Sequence, residues 1–251
     1  MIRVLLVAGT ADAVELADKA PLHWQITATT ISQLGARSLT EKKAVDVRIG
    51  PLDKKGFAKL IKETAPRYVI DMSHPFATEA SANIAAAAAD NSLTYLRYLR
   101  PSQKLEGEVK RYPDFPCVVE ALKEIKGNLF LTTGTKDLHF FQELPDFNSR
   151  CYMRVLADSK ILAQLEAMSI DPSHIFAMKG VASKELNIAL AKEVQARAIV
   201  TKDSGVKGGI MEKAAAAAEL GIPLLVINRP QENNESFSSI DEIIAYIEGR
   251  N

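Results

Sequence analysis

Two glycine-threonine pairs are the first places where this sequence could hold a ligand. Gly9-Thr10 follows the apolar run at residues 3–8 (RVLLVA), and Thr133-Gly134-Thr135-Lys136 follows residues 128–132 (NLFLT). A glycine at such a turn lets backbone approach a bound group, and a Thr hydroxyl with the amides of a following helix can hold phosphate. The same turns also serve merely to join a strand to a helix. Two further loops follow apolar runs. In Ser73-His74-Pro75, the imidazole could donate to a phosphate or relay a proton, while proline fixes the loop and can open the next helix; the ring could equally be incidental to a helix start. In Lys202-Asp203-Ser204-Gly205, with Lys207 nearby, a lysine could bind carboxylates or supply a proton. Arg100 and Arg154, like Arg97 and Arg229, fall at or near strands. They are candidate anion ligands, although Arg-Pro at a strand end can be punctuation.

Several chemistries find no support. The turn AGTADA lacks the GxGxxG spacing, and no acidic residue closes the second strand to read a ribose. The four histidines are scattered, no His/Cys/Asp group has ligand spacing, and no metal is expected. Cys117 and Cys151 form no CxxC and read as reduced thiols. With 31 basic and 31 acidic residues the chain offers no electrostatic case for nucleic acid. No apolar run approaches the roughly 20 residues needed to span a bilayer, so no membrane partner is expected and the protein reads as cytoplasmic.

The elements that must position these loops alternate strand and helix. Strands are predicted at residues 3–8, 24–29, 45–49, 68–71 and 94–98, with helices at 12–20 and 57–64 and an alanine-rich helix after the fourth strand. Residues 101–116 are polar without apolar periodicity and read as a surface connection; a helix is predicted at 117–125. The second half repeats the plan, with strands at 128–132, 152–155, 175–178, 199–201 and 224–227. Five alanines at 85–89 and 214–218, Arg-Pro pairs at 100–101 and 229–230, and closing helical segments at 114–125 and 235–247 recur in order. The later closing segment carries a capping box, Ser239 with Glu242. The expected fold is therefore α/β: two similar Rossmann-like, doubly wound domains with mainly parallel sheets, residues 1–126 and 127–251, with a ligand cleft between them lined by the strands' carboxyl ends.

In order along nearly the whole chain, VLLVAGTADAVELA, VRIGPLD, DMSHPFATEASANIAAAA, LRYLRPS, LFLTTGTKDL, YMRVL and IVTKDSG with EKAAAAAELGIPLLVINRP resemble the precorrin-6A reductases of cobalamin (vitamin B12) biosynthesis, including the cobalt-precorrin-6A enzymes. The resemblance implies reduction of one double bond in a contracted tetrapyrrole by direct hydride transfer from NADPH or NADH. On the matching motifs it implies cofactor contacts at Gly9, Thr10, Ser73, His74, Pro75, Thr133, Gly134, Thr135 and Lys136. Substrate binding would fall to Arg100, Arg154, Lys202, Asp203, Ser204, Gly205 and Lys207, with the lysines and arginines meeting its carboxylates. Lys202 and His74 are the candidate catalytic groups, with solvent a third proton source. The chain departs from the pattern at Ala8, where a second glycine is usual, and at Thr135, where a basic residue is common. The second departure leaves NADH against NADPH open. A monomer or weak homo-oligomer is expected. Two other classes fit the residues alone: a non-catalytic two-lobed binding module, and a sugar-nucleotide transferase, which would normally carry a donor signature absent here.

Overall fold

The computed structural model describes residues 1–31, 33–41, 45–230 and 236–250. Two compact units account for them. The first comprises residues 1–101 and 231–251, the second residues 102–230. The first unit opens with β1 (Ile2–Ala8), α1 (Ala11–Lys19), β2 (Trp24–Thr30), α2 (Gln33–Thr40) and β3 (Val45–Ile49). It continues with α3 (Lys54–Thr64), β4 (Tyr68–Met72), α4 (Thr78–Asp90) and β5 (Thr94–Tyr98). Both faces of β1 are covered, which is why its sequence is apolar without alternation. Val4, Leu6 and Ala8 share a core with Leu16 of α1 and Leu39 of α2, whereas Leu5 and Val7 meet Phe57 and Leu60 of α3 and Ile84 and Ala87 of α4.

The second unit contains β6 (Val109–Tyr112), α5 (Phe115–Lys123), β7 (Asn128–Leu131), two four-residue helices α6 (Leu138–Phe141) and α7 (Phe147–Arg150), β8 (Cys151–Leu156) and α8 (Ser159–Ala167). β9 (Ile175–Met178), α9 (Lys184–Glu193), β10 (Ala196–Lys202), α10 (Ile210–Leu220) and β11 (Leu224–Ile227) complete it. The chain then returns to the first unit with β12 (Ser236–Phe237) and α11 (Ile240–Glu248). One sheet runs β12-β5-β4-β1-β2-β3 and the other β6-β11-β10-β7-β8-β9, and every described strand pair is parallel. Both have the doubly wound order 3-2-1-4-5-6, whose topological switch lies between the first and fourth strands. The internal repeat is therefore a repeat of topology.

Each sixth strand comes from the other half of the sequence. β6 follows β5 in the chain but pairs with β11, Val109 opposite Leu224; β12 follows β11 but pairs with β5, Ser236 opposite Arg97. The units thus differ from a division at residues 126 and 127, because the two closing segments are exchanged. Residues 101–116 are likewise more than a surface connection. β6 is a four-residue edge strand, only Val109 and Tyr112 half-buried, too short and too polar to announce itself. The capping box at Ser239 is present as expected. Glu235, at the head of that closing segment, lies outside the described residues.

α11 seals one face of the first sheet with Ile240, Ile243 and Ile247, and Glu248 accepts the indole N–H of Trp24 at 2.7 Å. Ile243 is fully buried. Replacing it by Ala should lower the stability of the first unit by about 3 kcal/mol, read as a shifted midpoint in urea denaturation. An unshifted midpoint would mean that α11 does not complete this core.

Candidate functional site

At the first unit's switch point the turns after β1 and β4 are bound to each other. The Gly9 amide and the Thr10 hydroxyl both donate to the Met72 carbonyl, at 3.3 and 3.1 Å. A Cβ at position 9 would meet Ser73 Cα and His74 N at 2.9 Å, so glycine is required here by close approach of two chains. Because the Thr10 hydroxyl turns to Met72, α1 has no side-chain cap, and α4 has none either. The positive ends of two helices of nine and thirteen residues thus open on this edge without a side-chain acceptor, an arrangement that favours an anion. A groove of about 360 Å³ beside it is lined by Gly9, Thr10, Val14, Thr30, Ile31 and Leu34, among others.

The loop after β4 is held from beneath by Asp71 and Arg97, whose side chains are both fully buried and 3.2 Å apart. Asp71 Oδ1 accepts the Ser73 amide at 2.9 Å, and Oδ2 accepts the Tyr95 hydroxyl at 2.8 Å. Arg97 donates to the Ser73 carbonyl and hydroxyl, both at 3.1 Å, and the hydroxyl also meets Ser81 at 2.9 Å. Ser73 is therefore part of the scaffold, and buried Pro75 continues it. His74 is half-buried. Its Nδ1 accepts the Phe76 amide at 3.2 Å, which puts the proton of the neutral ring on Nε2. Arg100 is ion-paired with the buried carboxylate of Asp12.

Toward their carboxyl ends the central strands of the two units match in register. Leu6 pairs with Ile70, and Leu131 with Val200. Lys202 therefore stands where the first unit has Met72, and Asp203 where it has Ser73. Lys202 Nζ lies 2.6 Å from Asp137, the counterpart of Asp12, and 5.3 Å from the Phe115 ring centroid. Asp203 is buried and saturated. Oδ1 meets Arg229 at 3.2 Å, and Oδ2 meets Arg111 at 3.1 Å and the Ser102 hydroxyl at 3.3 Å. Burial pushes its carboxyl up, but Arg229 and Arg111 outweigh that and hold it below the usual range. Asp203 is thus an anchor for the loop that carries Ser204, Gly205 and Lys207. Gly205 has φ +73, a left-handed conformation that favours glycine.

Gly134 needs glycine for its φ of +75, with nothing crowding a Cβ, unlike Gly9. The turn of Thr133, Gly134, Thr135 and Lys136 leads into a four-residue helix, so it lacks the dipole that α1 supplies in the first unit. Arg154 on β8 donates to Asn187 of α9 at 2.8 Å. The expected site residues therefore form two sets: Gly9, Thr10, Ser73, His74, Pro75 and Arg100 in the first unit, and Thr133 to Lys136, Arg154 and residues 202–207 in the second.

Sequence reasoning missed Asp71, Asp137, Arg111 and Lys213 as parts of these edges. The signal available for Lys213 was its place in the apolar face of α10, with Ile210, Ala214 and Ala217, where it is 3% exposed. Burial pushes the Cys151 thiol up to about 12, and a hydrogen bond with Asp114 raises that of Cys117, so neither is an activated nucleophile. Among the described residues no three His, Cys, Asp or Glu side chains gather to hold a metal, and no helix is long and apolar enough to cross a membrane.

Residues 3–248 match the family model described as Precorrin-6x reductase CbiJ/CobK. A cobalt-precorrin-6A reductase of Priestia megaterium is 34% identical over 246 residues, 96% of each chain. The cobalt-precorrin-6A reductase of Salmonella typhimurium is 30% identical, covering 90% of this chain and 87% of its own. A precorrin-6A reductase of Mycobacterium tuberculosis is 27% identical, covering 92% and 90%. The solved structure of CobK precorrin-6A reductase superposes with a TM-score of 0.75 at 21% identity, covering 99% of this chain and 97% of its own.

The Asp203 anchor makes a stability prediction. A carboxyl with a depressed folded pKa contributes stability above its unfolded value and loses it as pH falls through the folded one. Asp203→Asn should cost the second unit roughly 2 kcal/mol at pH 7, below the 3–5 typical of a fully buried pair because Arg111 reaches solvent. The gap from the wild type should close as pH falls below about 4. Denaturation at several pH values reads both; a gap independent of pH would contradict the assignment.

Proposed function

The chain belongs to the precorrin-6x reductase family, and from that premise we propose that it reduces one double bond of a precorrin-6A-type macrocycle, metal-free or carrying cobalt, in cobalamin biosynthesis, with NADH or NADPH as reductant. The observation that carries the reading is the family match, which runs from the first strand to the last helix.

The cofactor half of the reading is supported by the first unit. Its switch point has two helix N-termini without side-chain caps, a glycine at a crossing of two turns, and a groove alongside. These suit a pyrophosphate with an attached nucleoside. Gly9 and Thr10 would lie under the phosphates, and His74 would offer its Nε2–H. No acidic residue ends β2 among its described neighbours. The substrate half is supported by the second unit, where Lys202, Lys207 and Arg154 stand at or near the carboxyl ends of β10 and β8, suited to the acid side chains of a tetrapyrrole.

A reduced nicotinamide supplies the hydride when bound. The chain's residues orient the two partners, which is the main catalytic gain of such a site. One carbon of the double bond receives the hydride and the other a proton. Lys202, whose ammonium is hydrogen-bonded to Asp137 at a loop edge, is one candidate donor and can be reprotonated from solvent. His74 is the second candidate.

Turnover is read anaerobically with precorrin-6A or its cobalt form and NADH or NADPH, following nicotinamide absorbance and the tetrapyrrole spectrum. Wild-type protein should consume both. Lys202→Met should lower kcat about 100-fold if Lys202 donates the proton, with circular dichroism unchanged. Wild-type rates in both Lys202→Met and His74→Ala would remove these groups from the chemistry.

A further inference from the structure

At the carboxyl edge of the second sheet two cations, buried Lys213 and half-buried Arg154, have no acidic ion-pair partner among the described residues. Lys213, in the first turn of α10, donates to the Gly208 carbonyl at 2.9 Å. Arg154, half-buried on β8, donates to Asn187 Oδ1 at 2.8 Å. The Asn187 orientation is fixed because its Nδ2 donates to the carbonyls of Ala182 and Ser183, at 3.0 and 2.8 Å. All these acceptors are neutral. By contrast, Arg97, Arg100, Lys202 and Arg229 each meet an aspartate.

The charged groups set against Lys213 are Arg154, from β8, and Glu212, from its own helix. Burial and then repulsion by Arg154 push Lys213 down to about 7, against a smaller pull from Glu212. Burial also lowers Arg154. Glu212 forms no ion pair with either among the described residues, and its buried Oε2 has no hydrogen-bond partner. Two like charges kept together in a poorly solvated place are costly unless an anion joins them. The surroundings favour one. α10 starts from Gly209, in the left-handed region, with no side-chain cap, so its first-turn amides add positive potential. Exposed Leu156 ends β8, exposed Val181 and Val206 follow β9 and β10, and Val181 lies so close to Gly209 that a Cβ there would meet it at 2.4 Å. The combination suits an acid side chain on an apolar skeleton.

We propose that Arg154 and Lys213, with Asn187 and the first turn of α10, form an anion subsite that takes one carboxylate of the macrocycle, and that Lys213 is its specificity-determining cation. The assignment of the ligand rests on the reduction reading above. A carboxylate bound there favours the ammonium form of Lys213, so binding takes up a proton. Affinity then falls as pH rises above about 7, by up to tenfold per unit.

The test compares wild type with Lys213→Met and Arg154→Gln. Lys213→Met removes a buried charge and keeps the length of the side chain, so it should fold. The expected result is a KM for the tetrapyrrole raised at least tenfold in both variants, an unchanged KM for the nicotinamide, and loss in Lys213→Met of the wild-type rise in tetrapyrrole KM between pH 7 and 8.5. An unchanged tetrapyrrole KM, or a pH slope that Lys213→Met retains, overturns the subsite. If wild type turns over no precorrin, the reduction reading fails instead. The subsite is then judged with inorganic phosphate: stabilisation of wild type against heat but not of Lys213→Met supports it, and equal stabilisation of both overturns it.

Discussion

Neither six-stranded sheet is completed by a contiguous stretch of chain. The edge of β5 stays open until β12 arrives from the far end of the sequence, and α11 then covers a face carrying Leu6, Ile26 and Ile70. The edge of β11 is filled by β6, made more than a hundred residues before it. An open parallel edge is a template for wrong pairing, and a bare apolar face is worse. The exchange removes both hazards only when the whole chain is present. It also explains why a boundary near residue 126 would cut a closing segment from the unit it completes.

Given that frame, the carboxyl edges of the sheets are organised by charge. Asp71 with Arg97, Asp12 with Arg100, Asp137 with Lys202 and Asp203 with Arg229 and Arg111 all sit where strands become loops. A buried or half-buried pair with its remaining hydrogen bonds satisfied contributes less to net stability than to holding one arrangement. Here it aims the loops that carry His74, Ser204 and Lys207. Arg154 and Lys213 break the rule, and an anion from outside the chain would complete it. The units also differ in equipment. After β1 the first unit has a nine-residue helix, and after β7 the second has a four-residue one, so equivalent Gly-Thr turns differ in the potential they present.

The alternating βα order, most strand positions and the twofold plan were legible in the sequence, because doubly covered parallel strands are apolar runs bounded by turns. β6 and β12 were not, being short edge strands of four and two residues whose partners lie far along the chain. α2 and α8 escaped for a different reason: their polar residues are frequent and each buries only one or two side chains. For the candidate site, the loops could be located in the sequence, but the contacts within them could not. Ser73 and Asp203 looked like ligand contacts by position, yet both are held inside the scaffold by arginines distant in sequence. Lys213 was not singled out, because it precedes an alanine run with an acidic neighbour. Only its helical phase beside Ile210 and Ala214 hinted at burial.

The proposed function implies a division of labour, with the dinucleotide on the first unit and the acid groups of the macrocycle on the second. The most direct measurement is the amide NMR spectrum of the isotopically labelled full chain titrated with oxidised NADP and, separately, NAD. Saturable shifts are expected at Gly9, Thr10, His74 and the first turns of α1 and α4 for whichever dinucleotide binds. Shifts centred on Thr133, Gly134 and Thr135, with Gly9 and His74 unmoved, would contradict it.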